Sequence, residues 1–164
     1  GISINLMLYL IMGVSGSGKT SVGLYLSRIF SIPFYDADDF HNDLNIQKMK
    51  KGYSLNDLDR LPWLKLLSSK IKEWNSKGDS ILACSALKEG YRKILSKNNE
   101  ITFIFLDGSY DLIYDRLSSR KNHFFSKKML KKQFLDLEKP KDCMVIPINQ
   151  TVEEICLMIN NNLK

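Results

Sequence analysis

Residues 7–12 read MLYLIM and are followed directly by GVSGSGKT at residues 13–20, and these two segments carry the strongest signal for the fold. The first six residues are apolar on both faces, as in a strand buried on both sides of a sheet. The next eight fit the pattern G-x-x-x-x-G-K-T, in which a glycine-rich turn leads from a strand into a helix and its backbone N–H groups surround a phosphate. We therefore expect a phosphate loop carried by an α/β fold.

Outward from this stretch, apolar runs of strand length alternate with segments of helical periodicity. The further runs are residues 33–35, 80–84, 102–106 and 144–148, and the helical segments are 19–30, 64–74, 110–120, 127–137 and 151–163. This alternation predicts βαβ units, so we expect a three-layer α/β fold with a central parallel five-stranded sheet flanked by helices. We expect one domain over residues 1–164, with a tail at 1–6 and loops at 42–59 and 120–126.

The composition is that of an ordinary globular protein with a positive charge. The 164 residues are 44% hydrophobic and 26% charged, which argues against intrinsic disorder. Lysine and arginine total 24 against 18 acidic residues, and the net charge of +6 favours an anionic partner. The longest apolar stretch, 6–14, is too short to span a bilayer. The three cysteines, Cys84, Cys143 and Cys156, lack metal-ligand spacing, so we expect buried thiols in a reducing cytoplasm.

The phosphate loop predicts an ATP site and one metal ligand. Glycine at 13, 16 and 18 permits the turn that aims N–H groups at a phosphate, and the following helix adds its positive end. Lys19 is expected to reach the β and γ phosphates, and the Thr20 hydroxyl to coordinate Mg²⁺. A glycine-rich turn without a ligand is the alternative. The residues assigned to ATP binding here are Gly13, Val14, Ser15, Gly16, Ser17, Gly18, Lys19 and Thr20.

Two carboxylates follow the second strand, at Asp36 and Asp38. Alternation along an extended segment would put both on one side, facing the phosphate loop. Phosphoryl transfer needs charge neutralisation and a proton acceptor, so we assign Asp36 to the Mg²⁺ side and Asp38 to the general base. The alternative is that Asp38 or Asp39 caps a following helix.

Further motifs make the chain resemble the gluconate kinase (gluconokinase) family, small relatives of shikimate and nucleoside-monophosphate kinases. The matching strings are LNDLDRLPWL at 55–64, CSALKEGYR at 84–92 and HFF at 123–125, besides the phosphate loop and DAD at 36–38 followed by His41. The resemblance implies a P-loop kinase fold with a mobile lid at about 120–127. It also implies transfer of the ATP γ-phosphoryl group to the 6-hydroxyl of D-gluconate with Mg²⁺, and a homodimer.

A sugar acid presents one carboxylate and a row of hydroxyls, which call for basic side chains and short polar groups. Arg60 could instead pair with Asp57 or Asp59 at the surface. Lys88 and Arg92 stand at i and i+4, so both could instead face solvent. The residues assigned to the substrate are Asp38, His41, Arg60, Lys88, Arg92 and His123.

The segment before and within the lid supplies further assignments. In the related kinases arginines here pack on adenine and neutralise the transferring phosphoryl group, which implies Arg116 for the first role and Arg120 for the second. His123 either contacts substrate or helps to fold the lid. Asn149, in the loop after the last strand, is expected near the adenine. The lysines of residues 127–132 are expected on a solvated helix face.

The chain departs from the family pattern in two ways. The usual Pro after the motif histidine is Asn42 here, and a basic residue often found just beyond it is missing. Both changes are expected to loosen the local turn. Two other functions remain open at this point. One is a kinase of another small acceptor, such as shikimate or a nucleoside monophosphate. The other is a nucleotide-dependent nucleic-acid-binding protein, although no interleaved basic and aromatic motif supports it and we expect no nucleic-acid partner.

Overall fold

The computed structural model describes residues 6–120 and 125–163. A five-stranded parallel sheet has the order β2-β3-β1-β4-β5. The strands are β1 Leu8–Met12, β2 Phe34–Asp36, β3 Ser80–Ala83, β4 Ile101–Asp107 and β5 Met144–Pro147. The described α-helices are α1 Lys19–Phe30, α2 Asp43–Lys50, α3 Asp57–Asn75, α4 Glu89–Ser96, α5 Tyr110–Ser118, α6 Lys127–Asp136 and α7 Val152–Leu163, and a 3₁₀ helix spans Ala37–Phe40. The predicted α/β fold is confirmed.

Two hydrophobic clusters cover the two faces of the sheet. Ile11 of β1 belongs to the cluster that includes residues of α1, α5 and α7. Its neighbours Leu10 and Met12 belong to the other cluster, which is dominated by α3. Successive residues of β1 thus point to opposite faces, and both faces are buried, as the unbroken apolar run predicts.

The strand order places the site. β2 and β3 lie on one side of β1, and β4 and β5 lie on the other, so the chain reverses its direction of winding at β1. In open α/β sheets a crevice forms at the carboxyl ends of the strands where this reversal occurs. The phosphate loop follows β1 directly, and the acidic residues follow β2, so both lie at that edge.

Part of the loop expected at residues 42–59 is helical. α2 spans Asp43–Lys50, and α3 already begins at Asp57. The Asn42 side chain caps α2 by accepting a hydrogen bond from the backbone N–H of Asn45 at 2.8 Å. The φ of Asn42 is −74°, a value that proline would also adopt, so the turn keeps a backbone compatible with the family's usual residue.

No helix of residues 6–120 and 125–163 is long and apolar enough to cross a membrane.

Candidate active site

A cavity of about 490 Å³ opens at the carboxyl edge of the sheet. Its walls come from the phosphate loop, from the segment after β2, from the start of α3, from the residues after β3 and from α6. The predicted site residues among its lining are Ser15, Gly16, Gly18, Lys19, Thr20, Asp36, Asp38, His41, Arg60 and Arg120. The tertiary structure therefore brings the predicted ATP side and the predicted acceptor side to one cavity.

The phosphate loop has the backbone that its sequence predicts. Gly16 and Gly18 have φ values of 81° and 98°, in the left-handed region, and Gly18 is the N-cap of α1. The Lys19 Nζ donates to the carbonyls of Gly13 and Val14 at 2.9 and 3.0 Å, so the ammonium group is held over the loop. Desolvation lowers the pKa of Lys19, and the nearby Asp38 opposes that shift.

Three loop residues lie outside the cavity lining. Val14 and Ser17 are buried, with side chains turned into the protein, and Gly13 is packed beneath Ser17 and Leu106. Any contact that these residues make with a phosphate therefore uses the backbone. The Ser17 Oγ is buried without a hydrogen-bond partner among the described residues.

Asp36 and Asp38 face the same cavity, as predicted, but not by strand alternation. Asp36 ends β2, and its carboxylate accepts a hydrogen bond from the Asp38 backbone N–H at 2.9 Å, which caps the 3₁₀ helix. The Asp38 side chain is 79% accessible. Desolvation by the surrounding protein, with a smaller contribution from Asp36, still raises the pKa of Asp38.

His41 lines the cavity and is buried. Its ring stacks on Trp63 with centroids 4.2 Å apart, and its Nδ1 lies 3.3 Å from the Asn45 Nδ2. The Nε2 is 3.9 Å from an Asp38 carboxylate oxygen. Burial, with a further contribution from Arg60, lowers the pKa of His41 to about 4, so the ring is neutral at neutral pH.

Arg60 faces the cavity and is not engaged in the surface ion pairs considered from the sequence. Its guanidinium donates to the Tyr91 hydroxyl at 3.1 Å and lies over the Tyr91 ring. Asp59 pairs instead with Lys48 at 2.7 Å. Asp57 accepts from the Tyr91 hydroxyl and pairs with Lys88 at 3.0 Å.

Lys88 does not line the main cavity. It lies at an adjoining shallow cavity that Arg60 also lines, where its ammonium group is taken up by Asp57. Hydrogen bonding to Asp57 raises the pKa of Lys88. Lys88 is the N-cap of α4, and its carbonyl accepts from the Arg92 backbone N–H at 3.2 Å. The Lys88 ammonium group pairs with Asp57 and Arg92 is buried, so the two side chains do not share a solvent-facing surface.

Arg92, which the sequence assigns to the substrate, does not line the main cavity. Arg92 is buried, and its guanidinium donates to the carbonyls of Ala86 and Glu138 at 2.7 and 2.9 Å. The segment after β3 is joined in this way to the end of α6. Because both carbonyls hold the guanidinium away from the main cavity, Arg92 has a structural role here.

The nucleotide-side residues are only partly placed. Arg116 donates to the Ile148 carbonyl, next to the exposed Asn149, so the two predicted adenine neighbours lie side by side. Neither residue lines the main cavity. Arg120 does line it, whereas His123 and the middle of the predicted lid lie outside the described residues.

The sequence interpretation missed the contribution of α6. Gln133 and Lys132 line the cavity together with Met129 and Asp136. The lysines of α6 are exposed, as predicted, but Lys132 also pairs with Asp136 at 2.7 Å at the cavity wall. The periodicity of α6 is that of an ordinary amphipathic helix, and only the docking of this helix gives these residues a cavity face.

A phosphate loop at the reversal point of a parallel sheet, opposite two carboxylates in one cavity, is the arrangement of a P-loop kinase of a small molecule. The sequence model of the family described as shikimate kinase matches residues 15–156. The thermoresistant gluconokinase of Escherichia coli (strain K12) is 40% identical, over 90% of this chain and 88% of that protein. A probable gluconokinase of Dictyostelium discoideum is 39% identical, over 96% of this chain and 86% of that protein.

The solved structures agree with the sequence relatives. The crystal structure of a gluconokinase from Sinorhizobium meliloti 1021 superposes with a TM-score of 0.83 at 31% identity, covering 98% of this chain and 97% of that one. The chain belongs to the gluconokinase family.

Proposed function

We propose that this protein transfers the γ-phosphoryl group of ATP to the 6-hydroxyl of D-gluconate, giving 6-phospho-D-gluconate and ADP. The observation that carries the proposal is the cavity in which Lys19 of the phosphate loop faces Asp38, with His41 and Arg60 on the acceptor side. The names of the relatives supply the identity of the acceptor.

The donor end is built from the phosphate loop. Its N–H groups and the N-terminus of α1 bind the phosphates, and the Lys19 ammonium group moves from the loop carbonyls to the phosphate oxygens. Arg120, which lines the cavity, stabilises the charge on the transferring group. Arg116 and Asn149 lie at the side where the adenine would be held.

The chemical step needs one base. The Asp38 carboxylate accepts the proton of the 6-hydroxyl as that oxygen forms its bond to the γ-phosphorus, and the bond from the γ-phosphorus to the ADP oxygen breaks. A raised pKa brings Asp38 closer to the working pH, which makes it a better proton acceptor. His41 and Arg60 bind and orient the sugar acid from the other wall.

The donor set at the cavity fits Mg²⁺. Thr20 offers a hydroxyl and Asp36 a carboxylate, both hard oxygen ligands that line the cavity. No group of three or more His, Cys, Asp or Glu side chains within residues 6–120 and 125–163 could hold a metal alone. This agrees with Mg²⁺ bound through few protein ligands together with phosphates and water. Bound there, the ion would neutralise charge on the phosphates.

The acceptor side suits a carboxylate better than a phosphate monoester. Arg60 is the one arginine of α3 at the cavity, and the Arg92 guanidinium is held elsewhere. Lys88 lines the adjoining shallow cavity together with Arg60 and is paired with Asp57. This ion pair contributes to the electrostatic potential near Arg60. We place this reaction in the cytoplasm and propose a homodimer with no nucleic-acid partner.

An acceptor panel tests the function. ADP release would be followed by a coupled assay with D-gluconate, shikimate and a nucleoside monophosphate as acceptors. We expect turnover with D-gluconate alone. Lys19→Met should reduce it by at least about 100-fold, whereas Lys65→Met, at an exposed position of α3, should not. Activity on shikimate with none on gluconate would refute the proposal.

A further inference from the structure

The Asn45 side chain holds a fixed orientation between two acceptors. It is buried on α2, and its Nδ2 lies 2.9 Å from the Asp59 carbonyl oxygen and 3.3 Å from the His41 Nδ1. A backbone carbonyl can only accept a hydrogen bond, so the amide nitrogen must be the atom that faces it. The opposite orientation would place two acceptor oxygens against each other in a buried position, which is costly.

The Asp59 carbonyl group is itself held in position. Asp59 is the third residue of α3, where it forms a capping box with Asn56. Its carboxylate is also bound by Lys48 of α2 at 2.7 Å. Because α2 and the start of α3 are joined in this way, the amide of Asn45 has little freedom to turn.

The tautomer of His41 follows from this orientation. An Nδ1 that receives a proton donor must be unprotonated, so the proton of the neutral ring lies on Nε2. The Nε2 points toward the Asp38 carboxylate, 3.9 Å away. The ring plane is set by the stacked Trp63, whose Nε1 donates to the Ala37 carbonyl at 2.7 Å.

We propose that Asn45 fixes His41 as the Nε2–H tautomer and thereby makes His41 and Asp38 a matched donor and acceptor for one hydroxyl group of the acceptor. A hydroxyl both accepts and donates, so a donor beside an acceptor complements it. In the Nδ1–H tautomer, the unprotonated Nε2 and the Asp38 carboxylate would both be acceptors, so neither could donate to the hydroxyl oxygen. This inference rests on the proposed function for the identity of the acceptor, and it makes Asn45 a positioning residue.

The direct test is nitrogen NMR of the folded protein labelled with ¹⁵N-histidine at neutral pH. The signals of His41 are those lost in a His41→Gln variant. We expect an unprotonated Nδ1 and a protonated Nε2 in the unsubstituted protein. A protonated Nδ1 there overturns the proposal, whatever the variants do.

A variant pair separates positioning from folding. Asn45→Asp keeps the size of the side chain but cannot donate to the His41 Nδ1. In this variant we therefore expect a proton on Nδ1. The KM for gluconate should then rise about ten-fold, with the KM for ATP unchanged. Asn42→Ala removes the cap of the same helix without touching the His41 partner, so it should retain the Nε2–H pattern. An Nε2–H pattern and an unchanged KM in Asn45→Asp would overturn the proposal.

The test distinguishes this inference from the proposed function. A protein that phosphorylates gluconate but carries the His41 proton on Nδ1 refutes the role of Asn45 and retains the function. A protein with the Nε2–H tautomer and no activity on gluconate retains the tautomer assignment and refutes the function.

Discussion

Gln133 of α6 forms two hydrogen bonds with Ser15 of the phosphate loop. The Ser15 backbone N–H donates to the Gln133 Oε1 at 2.7 Å, and the Gln133 Nε2 donates to the Ser15 Oγ at 2.9 Å. The two residues are 118 positions apart in the chain. This contact joins the helix that follows the predicted lid to the loop that is predicted to bind ATP.

Loss of the Gln133 side chain should loosen α6. In Gln133→Ala both hydrogen bonds disappear, so the amides of residues 127–136 should exchange with solvent faster in hydrogen-exchange mass spectrometry. Lys131→Ala, at an exposed position of the same helix, is the control and should leave exchange unchanged. Equal exchange in both variants would show that the Ser15 contact does not hold α6.

Arg92→Ala should lower stability more than it changes gluconate binding. Two carbonyls, those of Ala86 and Glu138, lose their donor, which costs about 2–4 kcal/mol of the free energy of unfolding. Denaturant unfolding would measure this cost, with the exposed neighbour Lys93→Ala as control. A large rise in the KM for gluconate at unchanged stability would restore the substrate role that the sequence suggested.

Stability should fall in weak acid because of His41. Its pKa is about 4 in the folded protein against 6.5 in an unfolded chain, so between these pH values the unfolded state binds more protons. The free energy of unfolding therefore falls as the pH falls from 6.5 to 4, by up to about 3 kcal/mol from this group. His41→Gln should show a shallower fall over the same range. Identical pH profiles would contradict the lowered pKa.

Arg120→Ala should reduce kcat by about 100-fold or more, because the cavity loses the cation proposed to stabilise the transferring phosphoryl group. Arg28→Ala, at an exposed position of α1, serves as the control for loss of charge. Steady-state kinetics with ATP and gluconate would measure both. Unchanged turnover in Arg120→Ala would remove this residue from the mechanism.

Gly23 of α1 should tolerate no larger side chain. A Cβ at this position would lie 2.4 Å from the Phe34 ring, so Gly23→Ala should lower the free energy of unfolding by about 1–3 kcal/mol. Gly90→Ala on α4 is the matched control, because a Cβ there meets nothing within 4 Å. That variant should be neutral or stabilising by up to about 1 kcal/mol. Thermal unfolding would compare the two, and equal losses would contradict the packing argument.

The carboxylates after β2 show how far sequence reasoning reached. Asp36 and Asp38 were predicted to share one side through strand alternation, and they do share a cavity. The strand ends at Asp36, however, and a capped 3₁₀ turn brings Asp38 to its place. The position of both residues at the edge of the sheet could be predicted because they follow a strand. The backbone conformation at Asp38 could not, because it depends on a capping hydrogen bond and not on strand alternation.

The surroundings of the basic side chains could not be predicted from the sequence. The sequence assigns Arg60, Lys88 and Arg92 alike to the substrate. The spacing of Lys88 and Arg92 also allows both to lie on one face of a helix. α4 begins only at Glu89, whose N–H donates to the Glu138 carboxylate at 2.9 Å. That partner lies 49 positions away, so the start of the helix and the direction of Arg92 could not be read locally.

The amino-acid sequence alone predicts the parallel sheet, the phosphate loop after β1 and the family to which the chain is similar. These features are encoded in contiguous residues, through apolar runs and through glycines that permit positive φ. The tertiary structure alone decided which cations face the cavity, that α6 forms one wall and that Asn45 meets His41. Such contacts depend on how separate elements pack, because a side chain finds its partner only after distant segments have been brought together.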